Sequence, residues 1–139
     1  MVNQNIIKAK IGHIESNLQR LKEKQNITLN ELKKNKDAQD IIIHNLQLSI
    51  QGCIDIASHI ISDQSWPVPD TLAGLFEILM EHEIISEELS NRLKEMVGFR
   101  NIIIHEYGTI DLDKVYNILN QDIQDIYSFM KQVCIYAKI

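Results

Sequence analysis

The segment QDIIIHNLQLSIQGCIDIASHII, residues 39–61, decides the fold of this chain because its apolar residues recur at helical spacing. They form one stripe, Leu46, Ile50, Cys53, Ala57, Ile60 and Ile61, which is widened by Ile42, Ile43, Ile54 and Ile56. A helix whose apolar residues cover most of its circumference is either central in its own bundle or shared with a second subunit. We therefore predict a long helix over residues 37–62, with a polar face that carries Gln51, Asp55, Ser58 and Ser62.

An amphipathic helix is also predicted before this segment. Its apolar residues alternate intervals of four and three, as in a packed helix: Ile7, Ile11, Ile14, Leu18 and Leu21. Polar residues then predict a break near residues 26–28, where Thr28 is placed to cap the short segment LNELKKN. One long and one short helix thus precede the central one.

Turn signals divide the C-terminal half into three further segments. SWPVPD, residues 65–70, contains two prolines that end the long helix, and Asp70 is placed to cap TLAGLFEILMEHE. Ser86, followed by two glutamates, predicts the start of another helix, and Gly108 predicts its end. Asp111 begins a final helix with one apolar stripe: Leu112, Val115, Leu119, Ile123, Ile126, Met130 and Val133.

These patterns predict an all-α protein, an up-and-down helical bundle of four main helices plus one or two short ones. No stretch requires a strand, and residues 1–139 suffice for a single domain but not for two of ordinary size. The scarcity of Gly and Pro, with five and two residues, also favours helices. The wide apolar surface of the central helix is consistent with a homodimer.

The composition limits the classes of partner. The formal net charge is −5 and the pI about 5.5, which excludes nucleic-acid binding by overall positive charge but not a local cationic cleft. No segment approaches the roughly 18 consecutive apolar residues of a membrane-spanning helix, and the first residues lack the apolar core of a signal peptide. Cys53 and Cys134 lie in apolar stripes, so we expect buried, reduced thiols. The sequence therefore predicts a cytoplasmic protein without a membrane partner.

A polar cluster interrupts the apolar pattern in GFRNIIIHEYGTID, residues 98–111. Arg100 falls within the apolar stripe of its helix, which consists of Leu89, Leu93, Met96, Val97 and Ile104. Asn101 and His105 are four residues apart and share a face, and Tyr107 returns above Arg100 if the helix continues that far. The four side chains are therefore expected within one arc.

This cluster has a structural and a chemical interpretation. A buried arginine can pair with a carboxylate, and a histidine is favourable as a cation at a helix C-terminus. A guanidinium also suits phosphate oxygens, and an imidazole can move protons near neutral pH. Together they fit metal-independent RNA cleavage, in which His105 transfers a proton and Arg100 stabilises charge on the phosphoryl group. One histidine supplies one proton-transfer group, and a homodimer would supply a second.

Asp55 and His59 are four residues apart on the central helix, a spacing that can bind a metal. Two ligands are too few for a typical site, so we interpret them as part of a polar face and expect neither metal nor cofactor. If that face lines the cleft, Asp55 becomes a supporting partner of Arg100 or His105.

The pattern RNIIIHEY, residues 100–107, resembles the motif of HEPN-domain toxins of the HepT group. The resemblance extends in order and spacing over nearly the whole chain, through QDIIIHNLQLSIQGCIDIASHII, SWPVPD, FEILMEHEIIS and LKEMVGFRNIIIHEY. It implies a homodimeric helical bundle, metal-independent endoribonuclease activity on RNA, and a minimal nucleotidyltransferase antitoxin that transfers AMP to the motif tyrosine. By this resemblance Arg100 and His105 are catalytic, Asn101 is a site residue, and Tyr107 is the AMP acceptor.

Two other classes of function fit the same residues. In the first, the chain is a non-catalytic subunit that binds nucleotide or presents substrate to a nucleotidyltransferase, with Arg100 and His105 holding phosphate. In the second, it is a dimeric scaffold whose polar cluster only fixes the packing. The combination of Asn101, His105 and Tyr107 favours an endoribonuclease toxin over the scaffold, but a binding site would use the same donors.

Overall fold

The computed structural model describes residues 3–139, apart from the side chain of Tyr107, and every regular element in this part of the chain is helical. The α-helices are α1 (Gln4–Glu23), α2 (Leu29–Lys34), α3 (Lys36–Asp63), α4 (Leu72–Glu81), α5 (Glu87–His105), α6 (Leu112–Asn117) and α7 (Ile123–Ala137). A 3-10 turn, Tyr107–Thr109, follows α5, and a π-helical turn, Ile118–Asp122, joins α6 to α7. The predicted all-α bundle is confirmed.

The central element is α3, which is one residue longer at each end than the sequence predicts. It contacts α1, α2, α4, α5 and α7. Every apolar residue of its widened stripe is buried, with at most 4% of the side chain exposed. The wide apolar surface is therefore used within one chain, and its width does not require a second subunit.

Side-chain caps explain where the N-terminal helices begin. Thr28 Oγ1 accepts a hydrogen bond from the Glu31 N–H, and the Glu31 carboxylate accepts one from the Thr28 N–H, both at 3.1 Å. This reciprocal capping box confirms the cap predicted at Thr28. Asn35 alone separates α2 from α3, and its side chain accepts from the Ala38 N–H at 3.0 Å.

The cap predicted at Asp70 is wrong by one residue. The N-cap of α4 is Thr71, whose backbone is extended and whose Oγ1 accepts from the Gly74 N–H at 3.1 Å. The segment before it folds back on the end of α4, because the Trp66 and His82 rings stack with centroids 3.6 Å apart. The helix therefore begins one residue later than expected.

The sequence predicts one continuous final helix. In the structure this helix is interrupted by the wider π-helical turn Ile118–Asp122. A π turn accommodates an extra residue, and both Ile118 and Leu119 are buried there. Apart from Leu112, which is half-buried, all residues of the predicted stripe are buried. A pattern based on ordinary helical spacing identifies the buried face but cannot detect one wider turn.

Cys53 is buried and Cys134 is half-buried, and both are free thiols. The prediction of buried, reduced thiols is therefore correct for Cys53 and only partly correct for Cys134. In the part of the chain that the structure describes, no helix is long and apolar enough to cross a membrane.

Candidate functional site

The packing of α5 determines which side chains of the motif reach the surface. Phe99 and Ile103 are buried in the core, whereas Ile104 is 40% exposed. The assignment of Ile104 to the buried stripe is therefore wrong, because Ile103 occupies the inward position one residue earlier. Arg100 is half-buried beside this core.

The helix that carries the motif ends earlier than predicted. Its last residue is His105, which is exposed, and its C-cap is Glu106. The helix thus ends before Gly108, where the sequence predicts its end. Tyr107 already begins the 3-10 turn. The helix therefore does not continue far enough to return Tyr107 above Arg100, and the position of the Tyr107 side chain lies outside the described residues.

A chain of hydrogen bonds connects Arg100 to the polar face of α3. Arg100 Nη2 donates to Gln51 Oε1 at 2.6 Å, and Arg100 Nη1 donates to Asn101 Oδ1 at 3.1 Å. Gln51 Nε2 in turn donates to Asp55 Oδ1 at 2.9 Å. The guanidinium is thus held between two neutral amides, and Asp55 lies one hydrogen bond further away.

Arg100 forms no ion pair with any carboxylate of the described residues. Another arginine on the same helix, Arg92, forms two. Arg92 Nη1 lies 3.2 Å from Asp125 Oδ1, and Arg92 also pairs with Glu88. Arg100 Nε is buried and has no hydrogen-bond partner within the described part of the structure. The interpretation in which Arg100 is neutralised by a carboxylate therefore does not hold there.

The structure brings three of the predicted site residues, Arg100, Asn101 and Asp55, into one network. His105 lies five residues beyond Arg100 on α5 and, as far as the described residues go, makes no hydrogen bond to that network. Its exposed imidazole is instead accessible to solvent at the end of the helix. The single chain therefore carries the arginine and the histidine five residues apart on one helix, with no hydrogen bond between them among the described residues.

An open groove between α1 and α3 borders this network. Its volume is about 520 Å³, and its lining includes His13 and Asn17 from α1 and Gln51 and Asp55 from α3. The Asp55–Gln51 end of the hydrogen-bonded chain is therefore accessible from the surface.

His59, the other residue considered for a metal, is half-buried, and its buried Nε2 has no hydrogen-bond partner among the residues described. The Asp55 carboxylate accepts a hydrogen bond from Gln51 through Oδ1. No group of three or more His, Cys, Asp or Glu side chains that could hold a metal ion is found in the described part of the chain.

Gln51 is the residue of this network that the sequence does not single out. The only available signal is its position one helical turn before Asp55 on the polar face of the central helix. Its contact with Arg100 joins residues 49 positions apart, which local periodicity cannot predict.

Comparison with known proteins identifies the family. The model of the "ribonuclease HepT-like" family matches residues 14–133. The mRNA nuclease HepT of Shewanella oneidensis is 36% identical over 100 residues, which cover 72% of this chain and 75% of that protein. The tRNA nuclease HepT of Aphanizomenon flos-aquae is 30% identical over 128 residues, which cover 92% of this chain and 87% of that protein.

Solved structures agree with these relatives. A toxin–antitoxin structure with AMP-PNP contains a chain with a TM-score of 0.87 and 32% identity, covering 94% of this chain and 98% of that one. The tri-AMPylated HEPN toxin of Shewanella oneidensis, in complex with an MNT antitoxin, has a TM-score of 0.86 and 32% identity, covering 95% of this chain and 98% of that one. The resemblance found in the motif is thus confirmed over the whole fold, and the chain belongs to the HepT-like ribonucleases.

Proposed function

We propose that this chain is a metal-independent endoribonuclease toxin in which Arg100 and His105 act on the phosphodiester of RNA. Two observations support this function: membership of the family and the surroundings of Arg100. Arg100 has no carboxylate partner among the described residues and is held by the neutral amides of Gln51 and Asn101. Its positive charge therefore remains available for a phosphate.

The proposed reaction needs charge stabilisation and proton transfer. The 2′-oxygen attacks phosphorus as its proton leaves, the bond from phosphorus to the 5′-oxygen breaks, and that oxygen takes up a proton. Arg100 stabilises the charge that develops on the non-bridging oxygens, and the exposed imidazole of His105 transfers one of the two protons. His105 of a second copy would transfer the other, so we propose that the active form is a homodimer.

We further propose that a minimal nucleotidyltransferase antitoxin inhibits this chain by transferring AMP to Tyr107. Two of the structures similar to this chain are described as toxin–antitoxin complexes, one of them with an AMPylated toxin. Tyr107 follows the last helical residue, His105, by two positions. A phosphate group attached there would place negative charge next to the site and repel the RNA backbone. Activity on cellular RNA and a partner of this kind both predict a cytoplasmic location.

The activity is tested with unmodified protein and total RNA in an excess of chelator. The matched pair is His105→Ala and His44→Ala, since both histidines are exposed and His44 lies on α3 outside the network. We expect the parent and His44→Ala to cleave RNA and His105→Ala to be at least about a hundredfold slower, because loss of a general acid or base typically costs that much. Intact mass, measured first, excludes AMP already attached to the parent.

If the unmodified parent leaves RNA intact, the proposed ribonuclease activity is contradicted. The chain is then better explained as a non-catalytic subunit that binds nucleotide. If His105→Ala cleaved RNA as fast as the parent, the protein would still be a ribonuclease, but His105 would have no part in its mechanism.

The AMP acceptor is tested by incubating the protein with ATP and a minimal nucleotidyltransferase related to the known MNT antitoxins. We expect the mass of the parent to rise by one or more AMP groups while its cleavage of RNA stops. Tyr107→Phe should keep its mass and its activity, and AMP transfer to this variant would point to another acceptor.

A further inference from the structure

We propose that Gln51 is a positioning residue, oriented by Asp55, that fixes the Arg100 guanidinium without neutralising it. The catalytic consequence of this inference rests on the proposed function, whereas the geometric part can be tested without RNA.

The orientation of the Gln51 amide follows from what its two partners can do. An ionised carboxylate only accepts hydrogen bonds, and a guanidinium only donates them. The amide NH₂ must therefore face Asp55, at 2.9 Å, and the amide oxygen must face Arg100, at 2.6 Å. Asp55 thus selects the one orientation of Gln51 in which an acceptor points at the arginine.

The neutrality of Gln51 matters as much as its position. Arg92, on the same helix, is paired with two carboxylates and has its charge largely compensated. A carboxylate at residue 51 would compensate Arg100 in the same way and would also face the negative charge of Asp55 one helical turn away. An amide avoids both effects, so Arg100 is fixed in place and its charge remains free for an anionic substrate.

Gln51 is supported by α3, which packs against five other helices. Gln51 and Arg100 are both half-buried, and Ile50 and Cys53, next to Gln51 on α3, are buried in the core. A long arginine side chain otherwise loses rotamer entropy when it binds phosphate. Holding it beforehand removes part of that loss and keeps the charge where the transition state needs it.

The test compares Gln51→Met with Gln47→Met. Methionine matches the length of glutamine but cannot make these hydrogen bonds. Gln47 lies one turn earlier on α3, is also half-buried, and its side chain makes no hydrogen bond to the described residues. We expect Gln51→Met to lower kcat on RNA about tenfold to a hundredfold, as for loss of a hydrogen bond to a charged group. KM and the melting temperature should stay close to those of Gln47→Met.

A spectroscopic measurement tests the position of Arg100 directly. In protein labelled with ¹⁵N-arginine, rotation of the Arg100 guanidinium should be slow in the parent and in Gln47→Met and faster in Gln51→Met, in which only Asn101 still accepts from the guanidinium. A loss of packing alone would not change this signal selectively. If Gln51→Met fails to fold, Gln51→Glu serves instead: it keeps an acceptor toward Arg100, so rotation should stay slow while KM for RNA rises.

Three outcomes would overturn the inference. These are an unchanged guanidinium signal in Gln51→Met, a kcat within about twofold of that of Gln47→Met, or an unchanged KM in Gln51→Glu. Intact RNA with the parent would instead overturn the proposed function alone, because the rotation of Arg100 would still decide whether Gln51 positions it.

Discussion

Two arginines on α5 show how a single residue type acquires different roles. Arg92 interacts with Glu88 and Asp125, and these carboxylates raise its pKa, chiefly through the hydrogen bond to Asp125. Arg100 is bonded to two amides and to no described carboxylate. Arg92 is exposed and Arg100 is half-buried. The residue that each meets on another helix, Asp125 for Arg92 and Gln51 for Arg100, distinguishes a structural arginine from a candidate catalytic one.

Cys53 leads to a prediction about pH. Complete burial raises the pKa of its thiol well above the ordinary value of 9.0, so the folded protein keeps the proton that the unfolded chain releases above pH 9. The unfolded state then binds fewer protons than the folded state. The free energy of unfolding should therefore fall as pH rises beyond 9, by about 1.4 kcal/mol per pH unit for one fully released proton.

The measurement is urea unfolding of the parent and of Cys53→Ala between pH 8 and pH 10.5. Other groups titrate in this range too, so the relevant quantity is the difference between the two slopes. Cys53→Ala should be less stable at pH 8 because it leaves a cavity, but its stability should fall less steeply with pH. Parallel curves would contradict burial of an un-ionised thiol.

At the scale of the helix, α1 and α3 approach each other closely at Gly52. A Cβ atom on Gly52 would lie 2.4 Å from Ile14 Cγ1 and 2.9 Å from Ile14 Cδ1, and Ile14 is fully buried. Gly12, on α1, has nothing within 4 Å of such an atom. The two glycines therefore form a matched pair with opposite expected effects.

We predict that Gly52→Ala lowers the free energy of unfolding by about 1–3 kcal/mol, because overpacking exceeds the gain in helix propensity. Gly12→Ala should raise it by up to about 1 kcal/mol, since alanine only improves the helix. Urea denaturation with a common m-value measures both changes. A stabilised Gly52→Ala would mean that α1 and α3 lie further apart than described.

The π-helical turn between α6 and α7 is the element-scale feature that the sequence does not reveal. The apolar stripe continues through it, and both Ile118 and Leu119 are buried there. Whether a turn is regular or widened depends on what packs against it. The spacing of apolar residues therefore predicts that a helix is present but not the width of each turn.

At the scale of the whole molecule, the proposed homodimer leads to a prediction about mass. The apolar surface of α3 is used inside one chain, but Ile102 and Ile104, next to His105, are each 40% exposed. If a second copy covers this end of α5, the protein in solution should have twice the chain mass of 16.1 kDa. Sedimentation equilibrium measures this directly.

Ile104→Lys should weaken the dimer and reduce RNA cleavage at low protein concentration, with recovery as the concentration rises. Val68→Lys is the control, because Val68 is 81% exposed in the loop before α4. A monomeric parent that cleaves RNA at full rate would contradict the requirement for a second His105.

The sequence by itself determined the all-α fold, most of the helix limits and caps, the buried face of the central helix and the Arg–His–Tyr motif of the family. These features depend on interactions within a few residues or on spacing along one helix, which a single chain reveals directly. The tertiary structure alone decided that Ile103 rather than Ile104 is buried, that α5 ends before Tyr107, and that Gln51 holds Arg100. Each of these depends on where α5 lies against the rest of the bundle, and the bond between Gln51 and Arg100 spans 49 residues of sequence.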